Sequence, residues 1–196
     1  MLRVEALHLR RSGQNVLAAL DFEAGPGEAL VLLGRNGAGK SSLLRALAGL
    51  LRPAAGRVCW DGADVADDPT AHNRRLRWVG HGDAAKPGLT ARENLGFLAE
   101  LVGGDADAAL RTLGLGAMAD LPARVLSAGQ RRRLALARLA LAPAALWLLD
   151  EPTVGLDASA VARLEPMLAR HRSAGGIVVA ATHLPLPLRD ARELAL

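Results

Sequence analysis

The chain has 196 residues, about half of them apolar, which is enough for one compact unit or a core with a lobe inserted into it. Twenty-four basic residues against 20 acidic ones give a formal charge of +4, but the arginines are scattered, tyrosine is absent, and the two Phe and three Trp residues lie far apart. That pattern argues against the basic, aromatic-studded surface of a nucleic-acid binder.

Cys59 is the single cysteine, so there is no intramolecular disulfide and no metal-ligand spacing, as fits a reducing compartment. Met1 to Arg11 carries charges every few residues and offers no apolar h-region, so a cytosolic location is expected. The longest apolar stretch, Leu134 to Leu149, is broken by Arg138 and Pro143 and falls short of the roughly 20 clean residues of a bilayer span.

In chain order, Ala29–Leu33 is a short continuous apolar run that predicts a strand buried on both faces, ending at Gly34. Gly34-Arg35-Asn36-Gly37-Ala38-Gly39-Lys40-Ser41 follows, a glycine-rich loop with lysine and serine at its end. Glycines let backbone N–H groups curl around phosphate oxygens, Lys40 supplies a charge to the terminal phosphates, and the Ser41 hydroxyl can ligate Mg²⁺. A helix is expected from Lys40 to Leu50, with Leu43, Leu44, Leu47 and Leu50 on one face.

Between about Thr90 and Leu141 the pattern is helical, with helices expected over Glu93–Val102, Asp107–Leu113 and Ala128–Leu141. The last of these opens on Leu126-Ser127-Ala128-Gly129-Gln130, a second helix start able to receive an anion. Because the chain already has one phosphate loop, this one is expected to close over the nucleotide held by another copy.

Leu146–Leu149 predicts a second buried strand ending at Asp150-Glu151. An aspartate at that end can hold Mg²⁺, and the adjacent Glu151 is placed to act as general base on an attacking water. A helix is expected over Ala158–His171 and a third strand over Ile177–Ala181, with His183 just past its end, on the edge where ligands bind in parallel sheets.

Taken in order, these segments resemble the ATP-binding subunits of ABC transporters over nearly the whole chain. Gly34–Ser41 matches Walker A, and Leu126–Gln130 matches the signature, with Ala128 where glycine is commoner. Leu146–Asp150 matches Walker B, Glu151 the catalytic glutamate, Gly155-Leu156-Asp157 the D-loop and His183 the switch histidine. The resemblance implies an α/β fold: a P-loop NTPase core with a mainly parallel sheet, an antiparallel β subdomain and an inserted helical lobe. It divides a single ATP-binding domain into a core of about 1–85 and 142–196 and a lobe of about 86–141.

It also implies ATP and Mg²⁺, a head-to-tail homodimer, and a division of labour among residues. Gly34, Arg35, Asn36, Gly37, Ala38, Gly39, Lys40, Ser41 and Ser42 of one copy, with Ser127, Ala128, Gly129 and Gln130 of the other, would enclose the nucleotide. Ser41 and Asp150 would hold the metal, while Lys40, Glu151 and His183 would be catalytic. Two positions depart from the pattern. Arg11 falls where an aromatic ring usually stacks on adenine, and His81 or Gly82 falls where a glutamine usually meets Mg²⁺ and water.

Gly80-His81-Gly82-Asp83, Lys86-Pro87, Leu89-Thr90 and Glu93-Asn94-Leu95, together with Ala128, resemble the ATP-binding subunits of cytochrome c maturation haem exporters. This resemblance implies a peripheral protein on the cytoplasmic face of a bacterial inner membrane, working with integral membrane transporter subunits and not with nucleic acid. A subunit of a drug or lipid exporter is the nearest alternative. A soluble ATPase of the same family acting on nucleic acid is more remote, since those usually fuse two cassettes or insert long arms. The five histidines are isolated and there is no Cys-x-x-Cys-His, so no haem is expected on this chain.

Overall fold

A computed structural model describes residues 1–11 and 13–196. Two sheets organise it. The first is antiparallel, built from β1 (Leu2–Arg11), β2 (Gln14–Ala24), β4 (Ala55–Trp60) and β5 (Ala63–Asp64) in the order β2-β1-β4-β5. The second contains β3 (Ala29–Leu33), β6 (Leu76–Val79), β7 (Leu146–Asp150), β8 (Ile177–Ala181) and β9 (Arg192–Ala195) in the order β6-β7-β8-β3-β9, every pairing parallel.

The continuous apolar runs have a direct cause. Along β7, Leu146 and Leu148 join one core cluster while Trp147 and Leu149 join the other; along β8, Ile177, Val179 and Ala181 alternate in the same way with Val178 and Ala180. Side chains alternate between faces with period two, so a strand covered on both sides has no polar position to spare. One face carries α1 (Lys40–Leu47) and the antiparallel sheet; the other carries α6 (Ala158–Ser173) and the helices inserted between β6 and β7. Those helices are α3 (Ala91–Val102), α4 (Ala106–Thr112) and α5 (Ala128–Ala137), while α2 (Pro69–Arg75) leads directly into β6. Among the described residues no helix is long and apolar enough to cross a membrane.

Two helices, α1 and α5, end well short of the expected Leu50 and Leu141. α1 stops at Leu47, where Leu50 N–H bonds Arg45 O at 2.8 Å and Gly49 N–H bonds Ala46 O at 3.0 Å, with Gly49 at φ 71°. This is a Schellman stop, and it turns Leu50 out to 65 % exposure instead of onto the buried face. α5 tightens after Ala137 into a 3₁₀ turn over Arg138–Ala140, a common ending for a helix whose next residues cannot continue it.

The sequence segment Lys86 to Leu95 has a structural role. Thr90 and Glu93 form a capping box at the start of α3, and Asn94 bonds Lys86 N–H and O, Leu89 O and Thr90 O. Three side chains thus bond six main-chain groups and fix the entry into the inserted helices.

A candidate nucleotide site at the carboxyl edge of the parallel sheet

The ends of β3, β6, β7 and β8 converge on one edge, so the segments that follow them meet there whatever their separation in sequence. A cleft of about 410 Å³ lies at that edge, lined by the loop before α1, by Asp150 and Glu151, and by His81 and His183. This is the switch-edge location at which open parallel sheets bind ligands.

The loop from Gly34 curls into the first turn of α1. Gly39 is its N-cap in a left-handed conformation, φ 104°, and a Cβ there would stand 2.8 Å from Val16 Cγ1, so the close approach of β2 to the loop requires glycine. Lys40 Nζ donates to Gly34 O at 2.6 Å and to Arg35 O at 3.3 Å, folding the lysine along the concave side of the loop. Asn36, Gly37, Gly39, Lys40, Ser41 and Ser42 line the cleft, whereas Gly34, Arg35 and Ala38 do not.

Ser41 Oγ donates to Asp150 Oδ1 at 3.1 Å, joining the end of the loop to the end of β7. Asp150 is only 3 % exposed, and a buried carboxylate in such a place is stabilised by a bound cation. The pair offers a hydroxyl and a carboxylate side by side, the hard oxygen donors that suit Mg²⁺.

Glu151 adopts a left-handed conformation at φ 50°. For a residue with a Cβ this stores of order 1–3 kcal/mol and persists only where the surroundings over-determine it. They do so here: Glu151 N–H donates to Ala181 O at 2.7 Å, His183 Nδ1 lies 2.9 Å from Oε1, and His183 N–H donates to Oε2 at 3.3 Å.

Of the residues singled out in the sequence, Arg11, Lys40, Ser41, Ser42, Asp150, Glu151 and His183 come together in this cleft. Ser127, Ala128, Gly129 and Gln130 do not line it. Ser127 caps α5, accepting from Gln130 N–H at 3.2 Å, while Gln130 Oε1 accepts from Ser127 N–H at 2.7 Å, so the glutamine amide oxygen is occupied within its own chain. Ser127 and Ala128 are exposed. Ala128 instead lines a shallow hollow beside the cleft with His81, Asp83, Glu151 and Gly155. Of the two candidates near the end of β6, His81 lines both spaces and Gly82 lines neither. Sequence reasoning missed Val16 and Val154 on the cleft wall, since a lone valine has no signature of its own.

The ABC transporter family profile matches residues 17–154. The chain belongs to the ABC transporter family of ATP-binding proteins. It is 54 % identical over 95 % of its length, and 81 % of the relative's, to a Rhodospirillum rubrum protein called cytochrome c biogenesis ATP-binding export protein CcmA. A solved ATP-binding subunit of an ABC transporter superposes with a TM-score of 0.84 at 27 % identity, covering 93 % of this chain and 79 % of the other. An ATP-binding cassette solved as a dimer after hydrolysis, with ADP and Pi, superposes with a TM-score of 0.84 at 24 % identity, covering 94 % of this chain and 88 % of that one. The ABC protein described here is therefore an ATPase subunit whose closely similar curated relatives are CcmA proteins.

Proposed function

We propose that this ABC protein hydrolyses ATP for a transporter that exports or delivers haem in c-type cytochrome biogenesis, acting as a homodimer against integral membrane subunits at the cytoplasmic face of the inner membrane. The observation that carries the chemistry is the grip of His183 on Glu151 beside the Ser41–Asp150 pair. Kinship with CcmA supports the biological setting. We also read the chain as a single ATP-binding domain, with residues of about 86–141 forming a lobe on the core.

In this reading the loop's backbone N–H groups and Lys40 bind the β- and γ-phosphates, and the positive end of α1 adds to the attraction. Ser41 and Asp150 are the residues that would hold Mg²⁺, which when bound neutralises charge on the phosphate oxygens. Glu151 takes the proton of the attacking water, and His183 keeps its carboxylate aimed. Arg11, beside Val16 on the cleft wall, provides a guanidinium plane on which adenine stacks. Ser127, Ala128 and Gly129 of a second copy close the pocket over the γ-phosphate and exclude bulk water, with Gln130 fixing the turn that presents them.

The setting is tested in a strain lacking the native gene. The wild-type chain should restore covalently haem-bearing c-type cytochromes, seen by peroxidase staining of denaturing gels, and Glu151→Gln should not. Full restoration by Glu151→Gln, or none by the wild type, refutes the proposal.

A further inference from the structure

Arg132 is a buried cation without a carboxylate partner among the described residues, and the mechanism above leaves it unused. It lies one turn into α5, 4 % exposed. Its Nη2 donates to Asp150 O at 2.7 Å and to Glu151 O at 2.8 Å, its Nη1 to Gly80 O at 2.7 Å, and its Nε to Pro152 O at 3.3 Å. Burying a guanidinium is costly unless its donors are met, and here four main-chain carbonyls drawn from two strand ends accept from it.

The consequence concerns Glu151. Its left-handed backbone is fixed on the N–H side by Ala181 O and on the carbonyl side by Arg132. The same guanidinium holds the carbonyl of Gly80, so it also seats the segment that brings His81 to the cleft. Gly82, with no side chain and nothing within 4 Å of where a Cβ would stand, makes no such link. The segment therefore reaches α5 at two points, through the Gly80 carbonyl on Arg132 and through Asp83, whose Oδ2 lies 3.7 Å from Arg131 Nε.

We propose that Arg132 is a positioning residue for ATP hydrolysis: from the helix that carries Ser127–Gly129 it holds Glu151 in its left-handed conformation and ties the His81 segment to the same point. Movement of α5 is thereby transmitted to the residue that aligns the attacking water. Arg132 does not line the cleft and bonds no residue of the loop from Gly34 to Ser41, so its loss acts on turnover and not on affinity.

This inference rests on Glu151 being the base, and the test separates the two. ATP hydrolysis and ATP affinity are measured for the full chain purified with its membrane subunits, as wild type, Glu151→Gln, Arg132→Met and Arg132→Lys. Arg132→Met should lower kcat about 10- to 100-fold, the cost of a small misplacement of a catalytic group, with KM and ATP affinity within about twofold of wild type. Arg132→Lys keeps the charge but cannot span four carbonyls, and should give an intermediate kcat at unchanged affinity; it also serves if the methionine variant does not fold.

Wild-type kcat in either variant, or an equal loss of ATP affinity and kcat in Arg132→Lys, overturns the positioning role. Glu151→Gln hydrolysing like wild type instead removes the base assignment, and this inference with it.

Discussion

His183 holds Glu151 at both carboxylate oxygens, through its ring Nδ1 at 2.9 Å and its own main-chain N–H at 3.3 Å. The residues are 32 positions apart and meet because β7 and β8 are parallel neighbours whose ends project the same way. Two contacts to one carboxylate fix a direction as well as a place, which is what in-line activation of water requires.

Glu151→Gln should therefore keep ATP binding and lose turnover by at least about 100-fold, the lower end of what general-base catalysis contributes. His183→Ala leaves the main-chain contact and should lose about 10-fold or more. A phosphate-release assay beside a nucleotide-binding titration checks both, and parallel losses in binding and turnover would count against these roles.

Asp150→Asn should weaken the response to divalent cation more than the binding of nucleotide. Asparagine can still accept from Ser41 Oγ at the observed 3.1 Å, but it lacks the charge that favours a cation in a buried site. The Mg²⁺ concentration giving half-maximal hydrolysis should rise about 10-fold or more. An unchanged Mg²⁺ dependence would remove Asp150 from the metal site.

Gly129→Ala should disturb the start of α5 although its neighbour is already alanine. A Cβ at Gly129 would lie 2.8 Å from Gly155 O, a main-chain atom that cannot swing away, so the segment at Gly155 must shift. We expect about 1–3 kcal/mol of lost stability in urea unfolding, together with slower hydrolysis. Ala128→Gly, at an exposed position, should change stability by less than about 1 kcal/mol. Equal effects at the two positions would show that crowding against Gly155 is not the reason.

Acid should destabilise the fold through His171. Its ring stacks on Trp147 with centroids 3.9 Å apart, its Nε2 lies 3.1 Å from Ile177 O, and burial pushes its pKa below the usual 6.5, the carbonyl contact opposing this only in part. The unfolded chain therefore binds a proton that the folded chain resists, so stability falls as pH drops below about 6.5, until the folded value is reached. His72, depressed by the same desolvation, acts in the same direction. His171→Phe keeps a ring on Trp147 and should flatten the dependence of the urea midpoint between pH 7 and 5; an unaltered slope would exclude His171 as its source.

Local chemistry can be read from consecutive residues. The strands at Ala29–Leu33 and Ile177–Ala181 were legible to the residue, because an apolar run bounded by turn residues encodes a strand covered on both faces. The loop from Gly34 to Ser41 was equally plain, since its glycines, lysine and serine act through backbone geometry set within eight consecutive residues. The short edge strand Arg192–Ala195 was not legible: it is half polar and mostly exposed, and owes its place to pairing with β3.

Which side chains serve those segments was settled by packing between distant parts of the chain. It chose His81 over Gly82 at the cleft and carried Arg132 to Gly80, 52 residues away. Each is a contact between side chain and distant main chain or cavity. Such contacts leave no local pattern, because main-chain carbonyls are the same whatever residues bear them, and only packing determines which ones a buried cation can reach.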